Sequence, residues 1–474
     1  MKTHVPRIRY LGLGFVSASI SATYSTSALF PGEFGFLSNM ETAWGIAMLV
    51  GALTLFATGV IMRNWPSSRM RQLLTPALVL NVLGMFFSVF SGSIGGAAWL
   101  EYVGAALNGA GTAWMCVLWA DVLGRIDAEE MEFVVPAASV VTLACTLIVP
   151  LLGPLFAAFA VVLLPIASAA TLALSYRGLG TSPGGPSVES TGPTLLFGLR
   201  LTCLLVALLC VYVAICWIGA ASPMPFPVVP SLGGSLFGIA LAVCFIAFSV
   251  RIDFGSLFRW LGPLIVIGLA CCAWGGSAAG TVASTIGEIA DTAIQAITYI
   301  YFISLARRMD RSPVLGVAFA MAAAQIGAFL GNELGLYTTV LVSAGDASYG
   351  SISMALVCVV AFATTIVPRK DLSPFGNLPV QRGVSMRNAD GIGGGLDSQG
   401  VVSDFDATCE RLADRYGLSK RETDVFLLLA AGRSQPYIRE RLVLSKSTVS
   451  THVSSIYRKC NVHSKQELLD LLDD

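Results

Sequence analysis

Twelve predominantly apolar stretches, each of roughly bilayer-spanning length, limit what this chain can fold into. They cover residues 10–30, 42–62, 73–91, 102–123, 133–151, 155–175, 199–220, 232–250, 259–278, 281–305, 313–334 and 347–367. Runs this long read as α-helices, because a segment in hydrocarbon must satisfy its own backbone N–H and C=O groups. Composition agrees with a mostly membrane-embedded chain. Hydrophobic residues make up 55% and charged residues 12% of the 474, where a soluble domain carries roughly 25% charged residues. The formal net charge is zero, so any attraction to nucleic acid has to be local.

Charge placement tests the span count. Lys2, Arg7 and Arg9, then Arg63, Arg69 and Arg71, then Arg125, then Arg177 and Arg200, then Arg251 and Arg259, then Arg307, Arg308 and Arg311 occupy every second connection. The connections between them hold no Lys or Arg, only acids such as Glu33, Glu41 and Asp346. A miscount by one helix would destroy this alternation, and the positive side of such a bundle is the cytoplasmic one. The expectation is twelve spans in the cell (cytoplasmic) membrane with both termini cytoplasmic. The opening MKTHVPRIRY has the look of a leader's charged region, but the run behind it is span-length and is followed by more. It is read as a retained first span.

The longest internal connection, YRGLGTSPGGPSVESTGP from Tyr176 to Pro193, divides the body into halves 1–175 and 199–368. A six-plus-six helix bundle with a central linker resembles the Major Facilitator Superfamily, a resemblance of topology that implies a solute-handling bundle. The join GVIMRNWPSSRMR (Gly59 to Arg71) stands where that family carries a Gly/Asp/Arg-rich gating motif, but it lacks the acid and the glycine pattern. This departure argues against transport chemistry. Stretches such as GAALNGAGTAW (from Gly104) and GVAFAMAAAQIGAFLG (from Gly316) suit close helix packing.

An ionisable side chain at the bilayer centre costs about 2.5–3.5 kcal/mol even on lenient scales, so intramembrane acids are informative. In GEIADTAIQAITYIYF, Glu288, Asp291 and Gln295 recur at offsets of three and four and share one helix face. Arg200 and Arg259 stand at the very ends of their spans and no Lys or Arg lies deeper as counter-ion, so the pair points to a small-molecule cation or a shared proton. The structural alternative is an acid pair satisfied by a neighbouring helix. Asn108 and Trp114 are further ligand-sensing candidates. Asn81, Asp121, Gln325, Asn332 and Glu333 are secondary ones, with Trp119 and Tyr299 as aromatic walls. Asp121 and Glu333 fall near span ends and are expected to be wet.

After Pro368 the chain turns polar and Gly-rich to about Asp404, a flexible tether over 369–404. A helical rhythm returns at soluble-domain polarity over 405–474. A helix over 406–416 ends at Gly417, and Ser419-Lys420-Arg421-Glu422 is a capping box that opens the next, which runs to about Ala431. Ser434 caps a short helix to about Leu442, Ser445 caps one over 446–459, and Ser464 to Glu467 is a second capping box opening a leucine-bearing last helix. A short helix, a tight turn and a longer helix with polar first turns make a helix-turn-helix.

These elements resemble the tetrahelical DNA-binding domain of the LuxR/FixJ family over about 415–472. The carrying residues are L-S-x-R-E at Leu418 to Glu422, G-x-S at Gly432 to Ser434 and I-x-x-x-L at Ile438 to Leu442. S-x-x-T-V-x-x-H follows at Ser445 to His452, and I-x-x-K at Ile456 to Lys459. Val425, Phe426, Leu429, Ile438, Leu442, Val449, Val453 and Ile456 recur at helical spacing as the small core. Lys446, Ser447, Thr448, Ser450, Thr451 and Ser454 lie where side chains reach base edges and phosphates. Lys420, Arg421, Arg433, Arg439, Arg458, Lys459 and Lys465 are phosphate candidates, with surface solubility as the alternative role. His452 resembles a family position that fixes the helix against the backbone.

Ser450 and Ser454 stand where that family often has basic residues, and Arg439 where it has a small one. From Asp406 onward eleven basic residues face ten acidic ones, a net charge of about +1. Modest affinity per domain is expected, raised by dimerisation through the last helix. The roughly 35 residues between body and tip are too few and too polar to fold as a phosphoacceptor domain. Nine of eleven cysteines lie in apolar runs, without zinc spacing. No nucleophile–base pair or phosphate loop stands out, so neither a cofactor nor an enzymatic role is expected. The expected partners are double-stranded promoter DNA, the lipid bilayer and an unidentified small molecule. An all-α, membrane-embedded one-component regulator is the leading reading, ahead of a secondary transporter with a regulatory DNA-binding tail.

Overall fold

The computed structural model describes residues 8–29, 40–62, 65, 67–91, 98–179, 194–222, 228–248, 254–308, 312–366, 409, 411–430, 446–460, 462 and 467–468. Among them every regular element is helical. The chain divides into two compact units, Met1–Arg382 and Gly383–Asp474. The connection 180–193 and the tether 369–404 lie outside the described residues.

Among the described residues the body shows fourteen α-helices, laid out as twelve passes. In order they are α1 (Gly14–Leu29), α2 (Met40–Met62), the short α3 (Ser67–Met70) leading into α4 (Leu74–Phe90), and α5 (Ala98–Leu123). The fifth pass is broken into α6 (Ala128–Ala137) and α7 (Ser139–Leu151), and α8 (Pro154–Gly178) completes the first half. The second half is α9 (Thr194–Ala221), α10 (Val228–Phe248), α11 (Phe254–Trp274), α12 (Ser277–Arg308), α13 (Pro313–Ala344) and α14 (Tyr349–Ile366). Eight of the described helices are long and apolar enough to cross a membrane, and shorter apolar helices span Val228–Cys244, Trp260–Trp274 and Tyr349–Thr365. The break in the fifth pass follows Pro136, which has no N–H to donate. The two tightest joins are real reversals: Gly153 (φ 76°) turns α7 into α8, and Gly275 and Gly276 (φ 79° and 89°) turn α11 into α12. Those left-handed conformations are open to glycine at little steric cost.

The two halves share one wiring. In the first, passes one and five, two and four, three and four, three and six, and one and six pack together. In the second, seven and eleven, eight and ten, nine and ten, nine and twelve, and seven and twelve do the same. Each pair maps onto its counterpart six passes later, the mark of a repeated bundle related by a pseudo-two-fold axis. The halves meet along two seams that also exchange under this relation, α2 against α13 and α7 against α10.

Small residues set the closest crossings. A Cβ on Gly327 would lie 2.5 Å from Leu209 O, and one on Gly331 would lie 2.4 Å from Val213 O, so α13 touches the α9 backbone. Gly84, Gly104 and Gly111 bring α4 and α5 equally close. Gly331→Ala must therefore separate two backbones. The expected cost is about 1–3 kcal/mol of overpacking, read as a lower yield of monodisperse chain in detergent than Gly345→Ala, where a Cβ meets nothing within 4 Å but the left-handed φ of 82° is strained.

Candidate DNA-reading face and intramembrane acid site

In the C-terminal unit, Gly417 (φ 62°) ends the helix that contains residues 411–415, with Leu418 N donating to Ala413 O at 2.9 Å. The next helix, Lys420–Ala430, opens on a reciprocal cap: Ser419 N donates to Glu422 Oε2 at 2.7 Å and Glu422 N donates to Ser419 Oγ at 3.4 Å. Lys446–Cys460 is the longer helix. Val425, Phe426 and Leu429 pack with Val449, Val453, Ile456 and Cys460, closed off by Cys409, Ala413, Val462 and Leu468. Leu468, expected on the pairing helix, packs into the unit's own core. Ile438, Leu442, Arg433, Arg439, Lys465 and the 434–442 helix lie outside the described residues.

Burying positions 449, 453, 456 and 460 turns the opposite stripe outward. Ser450, Thr451, Ser454 and Arg458 are exposed, Thr448 and His452 are half-buried, and Arg421 is exposed beside Asp424 at 3.3 Å. An exposed pair of that kind contributes about 0–1 kcal/mol and leaves the guanidinium free to exchange partners. Of Lys446 and Ser447 only the backbone placement, at the start of the helix, is described.

Lys459 has a different job from the one its position suggests. Its ammonium donates to Glu422 Oε2 at 2.7 Å and to Gly417 O at 2.9 Å, while Ser455 Oγ donates to Glu422 Oε1 at 2.6 Å. Glu422 is thus the post to which the longer helix is tied, and only 6% of it is exposed. Lys459, then Ser455, then the Ser419 N–H hold its carboxyl well below the usual carboxylate range. A group depressed on folding contributes stability that is present above its unfolded value of about 4.3 and is lost as pH falls through the folded value. Hydrogen exchange over 446–460 in the full chain, corrected for intrinsic rates, is expected to speed up as pH falls below about 4.3. Glu422→Gln is expected to speed it by the equivalent of about 1–3 kcal/mol at neutral pH and to remove the acid-dependent part.

In the body, the stripe on α12 gathers as its spacing predicts. Gln295 Nε2 donates to Asp291 Oδ2 at 2.6 Å, and the Tyr212 hydroxyl of α9 is hydrogen-bonded to the same carboxylate. Glu288 lies one turn away, half-buried, with no hydrogen bond or counter-cation among the described residues. Cys216 of α9 is close enough to feel both acids. Asp291 is therefore a fixed acceptor and Glu288 an unfilled one. No group of three or more His, Cys, Asp or Glu able to hold a metal ion occurs among the described residues. The arrangement suits a proton or an organic cation.

The other candidates are held elsewhere. Trp114 Nε1 donates to Thr58 Oγ1 at 3.1 Å, and Asn108 Oδ1 accepts from Thr112 Oγ1 at 3.4 Å. Asn81 Nδ2 donates to the same hydroxyl at 3.1 Å. All of these belong to the first half. Trp119 is fully buried on Ser168 Oγ, and Tyr299 is buried with its hydroxyl on Cys116 O, so both are core rather than ligand walls. Asp121 is not wet but 6% exposed, taken up by the Tyr176 hydroxyl at 2.9 Å and by Arg125 at 3.7 Å. Glu333 is exposed, while Gln325 Oε1 and Asn332 Nδ2 are buried without hydrogen-bond partners. Tyr212 was invisible to spacing, because it lies some eighty residues from Asp291 in an otherwise apolar run.

An all-helical membrane bundle of repeated halves joined to a small helix-turn-helix unit is a membrane-bound regulator or a transporter fusion in class. Residues 417–472 match the family of bacterial regulatory proteins, luxR family, and form a LuxR-type DNA-binding domain. The response regulatory protein YgeK of Escherichia coli K12 is 38% identical over 65 residues, 13% of this chain and 44% of that one. The Fimbriae Z protein of the same strain is 45% identical over 53 residues, 11% of this chain and 25% of that one. The likeness thus spans less than half of either relative. The body is similar in fold to a bacterial homologue of the iron transporter ferroportin in an outward-facing state, at TM-score 0.54 and 15% identity over 76% of this chain and 98% of that one. The proton:xylose symporter XylE of the Major Facilitator Superfamily aligns at TM-score 0.50 and 12% identity, over 76% and 94%.

Proposed function

We propose that this chain is a non-enzymatic, membrane-embedded one-component transcription regulator. The transmembrane body senses a proton or a small organic cation at Glu288 and Asp291, with Gln295 and Tyr212 holding Asp291 in place. The tip binds promoter DNA at the cytoplasmic face through the exposed stripe Ser450, Thr451 and Ser454, with Lys446, Ser447 and Thr448 at its start. Arg421, Arg433 and Arg458 supply phosphate contacts, and copies pair through the C-terminal helix on DNA. The observation that carries this reading is a LuxR-type domain attached to a multi-pass body by a tether too short for a phosphoacceptor domain. Ligand binding shifts an equilibrium between packings of the body, and the tip reports the shift.

The repeated wiring of the two halves favours one competing reading, a secondary transporter with a regulatory DNA-binding tail. Transcript profiling of a deletion strain, with and without external pH steps and added organic amines, separates the two. The regulator reading expects a compact gene set whose response disappears in the deletion strain and returns with the intact chain. Amine or proton flux into vesicles, with transcripts unchanged, would support the transporter instead.

A further inference from the structure

On the side whose connections hold no Lys or Arg, the second half encloses a cavity of about 250 Å³. Its walls are the last turns of α9 and α11 and the first turns of α12 and α14, and neither Glu288 nor Asp291 lines it. Gly275 and Gly276 are exposed and form the rim, Cys271 is half-buried in the wall, and Cys272 and Ser222 are buried. The Ser222 hydroxyl, just past the end of α9, and the Cys272 thiol are in hydrogen-bond contact at 3.2 Å. Among the described residues no Lys, Arg, Asp or Glu lines the cavity. Both thiols are free. Consecutive Cα atoms lie about 3.8 Å apart, below the roughly 4.4–6.8 Å that a disulfide usually spans, so the pair is disfavoured from closing on itself.

A cation is favoured where α9 and α11 end, because a helix leaves its last C=O groups without intrahelical partners. Paired sulfur narrows the choice of cation. Zinc and the hard divalent ions need more ligands than two, and the described residues gather no group of three or more His, Cys, Asp or Glu. Thiolate sulfur instead suits soft ions such as Cu(I), which a pair of sulfurs in line can satisfy. We infer that Cys271 and Cys272 form a site for a soft monovalent cation of the Cu(I) and Ag(I) class, entered past Gly275 and Gly276. Cys272 gives up its proton to water as the ion enters, Ser222 donates to the thiolate left behind, and Cys271 binds as a neutral donor. No electron is transferred. One positive charge replaces another, so the cavity stays neutral. The inference goes beyond the sensing role at Glu288 and Asp291 and does not depend on it.

The test uses the full chain in detergent with Ag(I) as the probe, which needs no reductant. Labelling by N-ethylmaleimide is followed thiol by thiol by peptide mass spectrometry, with and without one equivalent of Ag(I). A sulfur bound to the ion is no longer a free nucleophile, so labelling of Cys271 is expected to slow at least about tenfold. The exposed Cys244 and Cys358 are expected to keep their rates. Ser222→Ala removes a hydrogen bond to a charged sulfur and is expected to weaken Ag(I) binding about tenfold. Labelling of Cys271 at its metal-free rate, or equal slowing of Cys244 and Cys358, would overturn the inference. So would Ag(I) binding at parent strength by the double variant Cys271→Ser, Cys272→Ser. The labelling result comes from the native chain and decides the matter even where a variant does not fold.

Discussion

Replacing Glu288 by Gln and Asp291 by Asn together is expected to abolish the ligand-dependent change in reporter output while leaving promoter occupancy intact. The shapes are kept, so the helix stripe on α12 still packs against α9. What disappears is the negative charge. Asp291 accepts from Gln295 Nε2 at 2.6 Å and from Tyr212, whereas Glu288 has no partner among the described residues. Truncating one side of a buried, hydrogen-bonded charge pair costs about 2–5 kcal/mol, on the order of thirtyfold in affinity at the lower end. The single variants separate the roles. Glu288→Gln removes the group available to a ligand and is expected to give most of the loss. Asp291→Asn disturbs a carboxylate already satisfied by protein donors and is expected to weaken the response less. Equal, small effects of both would return the pair to a structural role.

The second large effect lies on the exposed stripe of the tip. Ser450→Glu with Ser454→Glu places two carboxylates one helical turn apart on the face expected to meet DNA, without touching the buried Val449, Val453 and Ile456. Each lost base or phosphate contact costs about 1–3 kcal/mol, so the pair is expected to lower affinity on the order of a hundredfold or more. Arg458→Ala is milder. It is expected to weaken binding across sequences and to reduce the slope of log affinity against log salt by about one. Lys459→Ala tests the opposite expectation. Its ammonium is bound to Glu422 and Gly417, so the loss shows in stability of the unit before it shows in the salt slope.

How far the fold can be read from sequence depended on which physical constraint governed each part. The twelve passes were legible because hydrocarbon forces helices, and arginine placement checks the count independently. The cap at Ser419 and Glu422 was legible because its residues are three apart, and the α12 stripe because offsets of three and four share a face. What could not be read was everything decided between distant segments. The Tyr212 bond to Asp291, the Asp121 bond to Tyr176 and the Ser222 contact with Cys272 each link residues separated by tens of positions. Lys459 shows the same limit at a reading surface. Its family-like position suggested phosphate, but its side chain reaches Glu422 at the start of the Lys420–Ala430 helix. Asp121 was misjudged because closeness to a span end was taken as access to water, whereas packing of α8 over α5 buries it.

The central claim, that a chain held in the membrane binds promoters itself, is tested most directly by crosslinking the intact protein to DNA in living cells. The chromosomal fragments recovered with the membrane fraction are then sequenced. The account predicts a small number of sharp sites upstream of genes, present with the native chain and absent with the Ser450→Glu, Ser454→Glu variant at equal abundance in the membrane. Recovery of the same fragments from both proteins, or of none from either, would contradict it.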